Sequence, residues 1–328
     1  PLDTLFERLA QLALDGPTLL QLGLVACRII AEELNASEEL TKEQNRLVID
    51  TVLDGTTRKA LDAAIPLIVQ SAGDGTVTGN VKRLWLECLQ TWTVYASRVE
   101  FDFAFTVDLN EYYGVALHLL ATNSDVEALD LISDIYDTNS QLLSHDNKSK
   151  LDALIFSDWC TAFISANDLD DVSKLSRFVT LFLDADMINL ASRMIDANYD
   201  YKFQYLLHLT NQPGSPIIDE SFSVDLLDFW ILFTESFIND TESIHAILKN
   251  DVEKIAVLNQ KAHDYFLHLS QIYWHKCHML DDIDGIEDEF YSFRRDIGEL
   301  FESLFSIARD SIFSDLTRSV IGNLSDSG

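Results

Sequence analysis

Apolar side chains recur at helical spacing over long stretches of this sequence, and few turn-forming residues interrupt them. Between positions 81 and 95 they follow an i, i+3, i+4, i+7 pattern, which predicts a helix with one apolar face. The members of this stripe are Val81, Leu84, Trp85, Cys88, Leu89, Trp92 and Tyr95. Sheet-rich folds need glycine and proline for tight turns, whereas this chain has 12 glycines and 5 prolines in 328 residues. The sequence therefore predicts an all-α protein.

The same periodicity predicts a succession of helices along the chain. Their ranges are 2–14, 17–34, 41–53, 56–71, 80–97, 107–121, 124–138, 147–165, 169–183, 186–196, 199–210, 223–239, 241–249, 252–279, 286–308 and 310–324. Breaks are predicted where turn-forming residues interrupt the pattern, at Asp54-Gly55 and in the glycine-rich stretch 73–79.

Residues suited to helix starts agree with several of these ranges. Pro17 suits a first helical position, where its missing N–H is not needed. Thr41 with Gln44, and Ser124 with Glu127, have the spacing of capping boxes.

Taken together, the helices form about seven to eight pairs of roughly 40 residues each, which is the repeat length of HEAT and armadillo proteins. A helix pair of this kind buries its apolar stripe only by stacking on its neighbours. We therefore expect residues 1–328 to form a single HEAT-repeat array, an α-solenoid in which stacked antiparallel helix pairs form a superhelix.

The charge balance restricts the possible partners. Asp and Glu number 54 against 23 Lys and Arg, giving a formal net charge of −31. Such a field repels phosphate backbones and anionic lipid surfaces and attracts basic proteins. The longest apolar stretch, near residues 63–69, is too short to span a bilayer. We expect no direct nucleic-acid binding and no membrane insertion.

One acidic run is the candidate protein-binding site. It consists of Asp281, Asp282, Asp284, Glu287, Asp288 and Glu289. Acids at a helix start are also expected simply because they interact favourably with the helix dipole. The two interpretations are a docking surface for a basic partner and a solvated helix start.

Patterns typical of enzymes are incomplete in this sequence. Gly73, Gly75 and Gly79 precede a helix, but their spacing is GxGxxxG rather than the dinucleotide-binding GxGxxG. His275, Cys277 and His278 lie close together, yet no further ligand completes a zinc site, and a polar helix face is favoured. We expect no catalytic, cofactor or metal site, and no enzyme.

A second enzyme class is suggested by the acidic run, because Asp281, Asp282 and Asp284 resemble the DDxxD motif of class I terpene synthases. Here position 285 is Gly, and the family's second metal motif, starting at Asn239, lacks its final acid because position 247 is Ile. A partial set of carboxylates binds Mg²⁺ poorly.

Four widely separated cysteines, Cys27, Cys88, Cys160 and Cys277, show no CxxC spacing. They are expected to be reduced, buried thiols of a cytosolic or nuclear protein.

Three stretches, in order along the chain, resemble one known family. Residues 81–92 are similar to a helix with a Cys-Leu-x-x-Trp core, and residues 211–230 to a Pro-Gly-x-Pro…Asp-Glu…Ser…Phe-Trp segment. Residues 289–300 are similar to a Glu-Phe-x-x-Phe-Arg-x-x-x-Gly-Asp-Leu helix. The family that these stretches resemble is the importin-β superfamily of nuclear transport receptors (karyopherins), and they point to its importin-13 and transportin-SR branch.

The resemblance implies a receptor that shuttles between cytoplasm and nucleus and binds protein cargo, Ran-GTP and FG-nucleoporins. Because members are about three times longer than this chain, it also implies a segment of a longer karyopherin. The family's first repeats, which provide the main Ran contact, find no counterpart here, so no Ran-contact residues are carried over. The alternatives are a helical-repeat scaffold of another family, such as a phosphatase subunit or a vesicle-coat adaptor, and a terpene-synthase-like enzyme.

Overall fold

The computed structural model describes residues 16–37, 40–70, 76–278, 285–309, 311–312, 314 and 317–318. The α-helices of these ranges are α1 (Pro17–Ala36), α2 (Lys42–Val48), α3 (Arg58–Gln70), α4 (Thr76–Phe103), α5 (Asn110–Asn123), α6 (Val126–Asn139), α7 (His145–Ile155), α8 (Asp158–Ala166), α9 (Leu169–Asp184), α10 (Met187–Ser192), α11 (Ala197–Thr210), α12 (Phe222–Asn239), α13 (Thr241–Ile247), α14 (Val252–Lys276) and α15 (Glu287–Ala308). Within the same residues the only β-type pairing is an isolated bridge between Pro216 and Glu220. The all-α prediction is confirmed.

The chain divides into two compact units, residues 1–159 and 160–328. In unit 1, α1, α4 and α6 lie side by side in one row, and α3, α5 and α7 form a second row. Neighbours within the first row run parallel. Arg28 of α1 pairs with Glu87 of α4, and further along both helices Arg98 donates to the carbonyl of Leu34 at 2.7 Å.

Helices from different rows of unit 1 run in opposite directions. The Trp85 indole of α4 donates to the Leu61 carbonyl of α3 at 3.2 Å, and further along α4 the Tyr95 hydroxyl donates to Asn45 Oδ1, which lies before α3 in the chain, at 2.8 Å. The α2–α3 segment and α4 therefore run in opposite directions. The hydroxyls of Thr93 in α4 and Tyr113 in α5 lie 3.0 Å apart in the same core. Unit 1 is therefore a two-layered stack, parallel within a layer and antiparallel between layers.

Unit 2 is built in the same way. Helices α9, α12 and α15 lie in one row, and α11 packs against α14 in the other. Ser176 lies 3.1 Å from Ser221, and Thr180, one turn later, donates to the Asp225 carbonyl at 3.1 Å, so α9 and α12 run parallel. The Tyr273 hydroxyl at the end of α14 donates to the Ser223 carbonyl at the start of α12 at 2.9 Å, so the rows run antiparallel.

The core of each unit contains many large aromatic side chains, and three of them, Trp85, Trp92 and Tyr95, belong to the apolar stripe predicted over 81–95. The largest fully buried ones are Trp85, Trp92, Tyr95, Tyr112 and Tyr113 in unit 1, and Phe163, Phe178, Phe203, Phe222, Phe229, Trp230 and Tyr273 in unit 2. Cys27, Cys88 and Cys160 are buried as expected, whereas Cys277 is only half-buried. In the part of the chain that the structure describes, no helix is long and apolar enough to cross a membrane.

Several predicted boundaries are wrong. No break occurs at Asp54-Gly55, because a π-helix over Ile49–Thr57 joins α2 to α3 and still buries Val52 and Leu53. The break predicted over 73–79 does not extend to Gly79, since α4 begins at Thr76; Gly73 and Gly75 lie outside the described residues. The predicted helix 147–165 is divided between α7 and α8, and α10 passes into a 3₁₀ turn at Arg193–Ile195.

The start signals were partly correct. Pro17 is the first residue of α1, and Thr41 with Gln44 forms the predicted capping box. The box at Ser124 is wrong. Ser124 ends α5 in the left-handed conformation, and Asp125 caps α6 by accepting the Ala128 N–H at 3.1 Å. The predicted helix 2–14 lies outside the described residues, as does most of 310–324.

Candidate protein-binding surface

The acidic run predicted from the sequence is described only in part. Asp281, Asp282 and Asp284 lie outside the described residues. Glu287, Asp288 and Glu289 form the exposed first turn of α15. Acidic side chains at a helix start interact favourably with the helix dipole, which is sufficient to explain these three residues. They therefore do not distinguish a binding site from an ordinary helix start.

A second group of acidic residues, separated in the sequence, comes together between α9 and α12 in unit 2. The Asp225 carboxylate accepts a hydrogen bond from Ser176 and lies 3.9 Å from the Arg177 guanidinium. Burial raises the pKa of Asp184 to about 6, and the negative charge of Asp228 adds to this shift. Negative charge is thus concentrated where two parallel helices meet.

The Asp184 carboxyl should make stability depend on pH. Its pKa is raised in the folded protein, so the native state holds its proton between about pH 4 and 6 while the unfolded state releases it. Stability should fall as pH rises through this window, by about 1 kcal/mol once solvent screening is allowed for. We expect Asp184→Asn to reduce the change in melting temperature between pH 4 and 6.

The matched control is Asp170→Asn, an exposed acid in the first turn of the same helix. It should leave the pH dependence in place. An unchanged slope in Asp184→Asn would show that Asp184 does not titrate in this range.

The loop between α11 and α12, residues 211–221, is organised around one buried cation. Lys276, in the last turn of α14, is 5% exposed. Its ammonium donates to the Gln212 carbonyl, to the Gly214 carbonyl at 3.2 Å and to Glu220 Oε1 at 3.0 Å. The Glu220 carboxylate also accepts the Ser223 N–H at 3.0 Å and so caps the start of α12.

Gly214 is required by the shape of this loop. Its φ of +120° is unfavourable for other residues, and a Cβ there would lie 2.8 Å from Asp219 Cβ. Asp219 in turn accepts the Ser215 N–H at 3.0 Å. The Pro-Gly-x-Pro…Asp-Glu…Ser pattern therefore encodes a structural loop that ties α11, α12 and α14 together.

A cavity of about 290 Å³ lies beside this loop, lined by residues 211–216 and by His275, Lys276 and His278. All three ammonium donors of Lys276 are engaged by the loop, so its charge is already neutralised. The ring centroids of His275 and His278 are 5.9 Å apart. Cys277 Sγ contacts the Trp274 carbonyl at 3.1 Å instead of joining them. Across the described ranges, no three His, Cys, Asp or Glu residues are arranged to hold a metal ion.

One further arrangement has the elements of a hydrolytic triad. His263 lies 3.1 Å from the Ser311 hydroxyl and 3.4 Å from the Asp264 carboxylate. The His–Asp distance is long, and Asp264 is mostly solvent-exposed, so it does not hold the ring as a catalytic carboxylate does. The arrangement is better described as polar contacts on the surface of α14.

Comparison with known proteins adds no relative: no family model matches the chain, and no curated protein matches it significantly.

Proposed function

We propose that this protein is a non-enzymatic scaffold that binds other proteins, and that it is a HEAT-repeat segment of a nuclear transport receptor. The observation that carries the proposal is the arrangement of helices in each unit, parallel within a row and antiparallel between rows. Stacked helix pairs of the HEAT type have this arrangement, and they expose long helix faces rather than a closed pocket.

The residues behind the family resemblance support the proposal at the level of the fold. Trp92, Trp230 and Phe290 are completely or almost completely buried, and each belongs to a different resembling stretch. The loop stretch is built around Gly214 and Glu220. These residues pack in the core or fix the shape of the loop. They therefore favour the family's architecture without locating its binding sites.

The partners that follow are basic protein cargo, Ran-GTP and FG-nucleoporins, with shuttling between cytoplasm and nucleus. A net charge of −31 favours encounters with basic proteins and opposes direct contact with nucleic acids or anionic membranes. A helical-repeat adaptor of another family would share the fold and the charge, so the distinguishing property is the choice of partner.

Binding of FG repeats distinguishes a nuclear transport receptor from a helical-repeat adaptor of another family. We expect the full-length protein that contains this sequence to bind an FG-repeat peptide, and to lose that binding when the peptide's phenylalanines are replaced by serine. It should also bind Ran-GTP at least about tenfold more tightly than Ran-GDP, a difference of roughly 1.4 kcal/mol. Surface plasmon resonance measures both. Equal binding of the Phe and Ser peptides, together with no preference between the Ran forms, would reject the transport function and leave a general scaffold.

A further inference from the structure

Helix α4 of unit 1 has an exposed strip between its neighbours α1 and α6. The partly or fully exposed positions of this strip are Arg83, Glu87, Gln90, Val94 and Phe101. Val94 is 45% exposed and Phe101 is 91% exposed. Seven residues separate them, so they lie on the same side of the helix, about 10 Å apart along its axis. Both side chains leave apolar surface in contact with water, and covering that surface with a partner would be favourable.

Helix α6 borders this strip with carboxylates. Its exposed stripe is Glu127, Asp130, Asp134 and Asp137, spaced by three or four residues and therefore on one face. Three contacts fix this stripe beside α4, and the first is the pairing of Lys82 Nζ with Glu127 Oε2 at 3.2 Å. The Gln90 amide donates to Asp134, and the Asn139 amide donates to Glu100 Oε2 at 3.4 Å. The apolar residues of α4 and the acids of α6 thus form one continuous surface.

The carboxylates of this surface are crowded enough to gain from a cation. Burial raises the pKa of Asp134, and the charges of Asp130 and Asp137 raise it further, whereas the hydrogen bond from Gln90 acts in the opposite direction. Basic side chains of a ligand would reduce the mutual repulsion of the three acids.

We propose that the α4–α6 face, defined by Val94, Phe101, Asp130, Asp134 and Asp137, is a docking surface for an amphipathic basic helix of a partner protein. One acid per helical turn on α6 matches one Lys or Arg per turn on a ligand helix, about 5.4 Å apart. The apolar side of that helix would lie on Val94 and Phe101. A second copy of this chain is a poor occupant, because two acidic faces would repel each other.

This inference rests on the proposed protein-binding function, and it names the face and the partner's chemistry. The probe is a fluorescein-labelled 15-residue peptide with lysines on one helix face and leucines beside them. An isomer of identical composition in shuffled order serves as its control. Fluorescence anisotropy measures both at about 50 mM and about 300 mM salt, because screening weakens surface charge pairs over this range.

We expect Phe101→Ser to weaken binding of the patterned peptide about five- to tenfold. The triple variant Asp130→Asn/Asp134→Asn/Asp137→Asn should weaken it about tenfold and reduce its salt dependence. The matched controls lie in unit 2. They are Phe305→Ser, an exposed phenylalanine, and Glu242→Gln/Glu299→Gln/Glu302→Gln, which removes the same charge from exposed positions. Both should stay within about twofold of the unchanged protein.

Equal losses in the target and control variants would show that net charge alone attracts the peptide and would reject this face. Equal binding of the shuffled peptide would reject the helical ligand. FG-repeat binding, measured on the same variants, separates this inference from the proposed function. If FG binding persists while Phe101→Ser has no effect on the peptide, only the docking surface is wrong. If FG binding is absent from the unchanged protein as well, the transport function itself is wrong.

Discussion

Replacing Trp230 by alanine is expected to destabilise unit 2 by about 3–5 kcal/mol, the cost typical of truncating a large core aromatic. Trp230 is 1% exposed in the middle of α12. Its ring packs against Phe229 and Phe233, with centroids 5.1 and 6.0 Å away. Its indole N–H donates to Thr210 Oγ1 at 2.9 Å. The substitution removes these contacts and leaves a cavity between α11 and α12. Chemical denaturation monitored by circular dichroism measures the change.

Leu232→Ala is the matched control, because Leu232 lies on the same helix with half of its side chain exposed. It should cost less than about 1 kcal/mol. Trp230→Phe keeps most of the ring and removes the hydrogen bond, so it should fall between the two. A melting temperature unmoved by Trp230→Ala would show that the aromatic cluster does not hold α12 in place.

Periodicity was sufficient to predict the core, because burial depends on which side of a helix a residue occupies. Trp85, Trp92 and Tyr95 were all assigned to one apolar stripe and are all buried. Local signals were weaker guides to boundaries. Asp54-Gly55 predicts a break in isolation, but the burial of Val52 and Leu53 within the π-helix outweighs that local preference. Tertiary packing, and not turn propensity, therefore determines whether the helical segment is interrupted here.

The α4–α6 face was harder to predict than the core, since it combines residues that are distant in the sequence. The run at 281–289 was predicted as a binding site because six acids lie within nine residues. The stripe Asp130, Asp134 and Asp137 is spread over two helical turns, and its i, i+4, i+7 spacing was a signal that could have identified it. The adjacency of this stripe to Phe101 depends on the packing of α4 against α6, which no local pattern reveals.

The buried ion pair of the 211–221 loop could not have been predicted from sequence spacing, because Lys276 lies 56 residues after Glu220. Breaking this ion pair is expected to cause a large loss of stability. Lys276→Met should destabilise unit 2 by about 3–5 kcal/mol, because it leaves the buried Glu220 carboxylate without its cation. It also removes the donor to the Gln212 and Gly214 carbonyls. Urea denaturation measures the loss, and hydrogen exchange should show faster opening of the loop.

A double-variant cycle separates the ion pair from the packing of the lysine stem. Glu220→Gln removes the buried negative charge, so Lys276→Met/Glu220→Gln should be more stable than Lys276→Met alone, although both loop carbonyls still lack their donor. Lys254→Met, at an exposed position near the start of the same helix, should change stability by no more than about 0.5 kcal/mol. If the double variant were no more stable than Lys276→Met, the loss would come from the missing stem and carbonyl contacts rather than from an uncompensated charge. The loop would then be held by backbone hydrogen bonds, and the acid of the Asp-Glu pattern would act chiefly as the cap of α12.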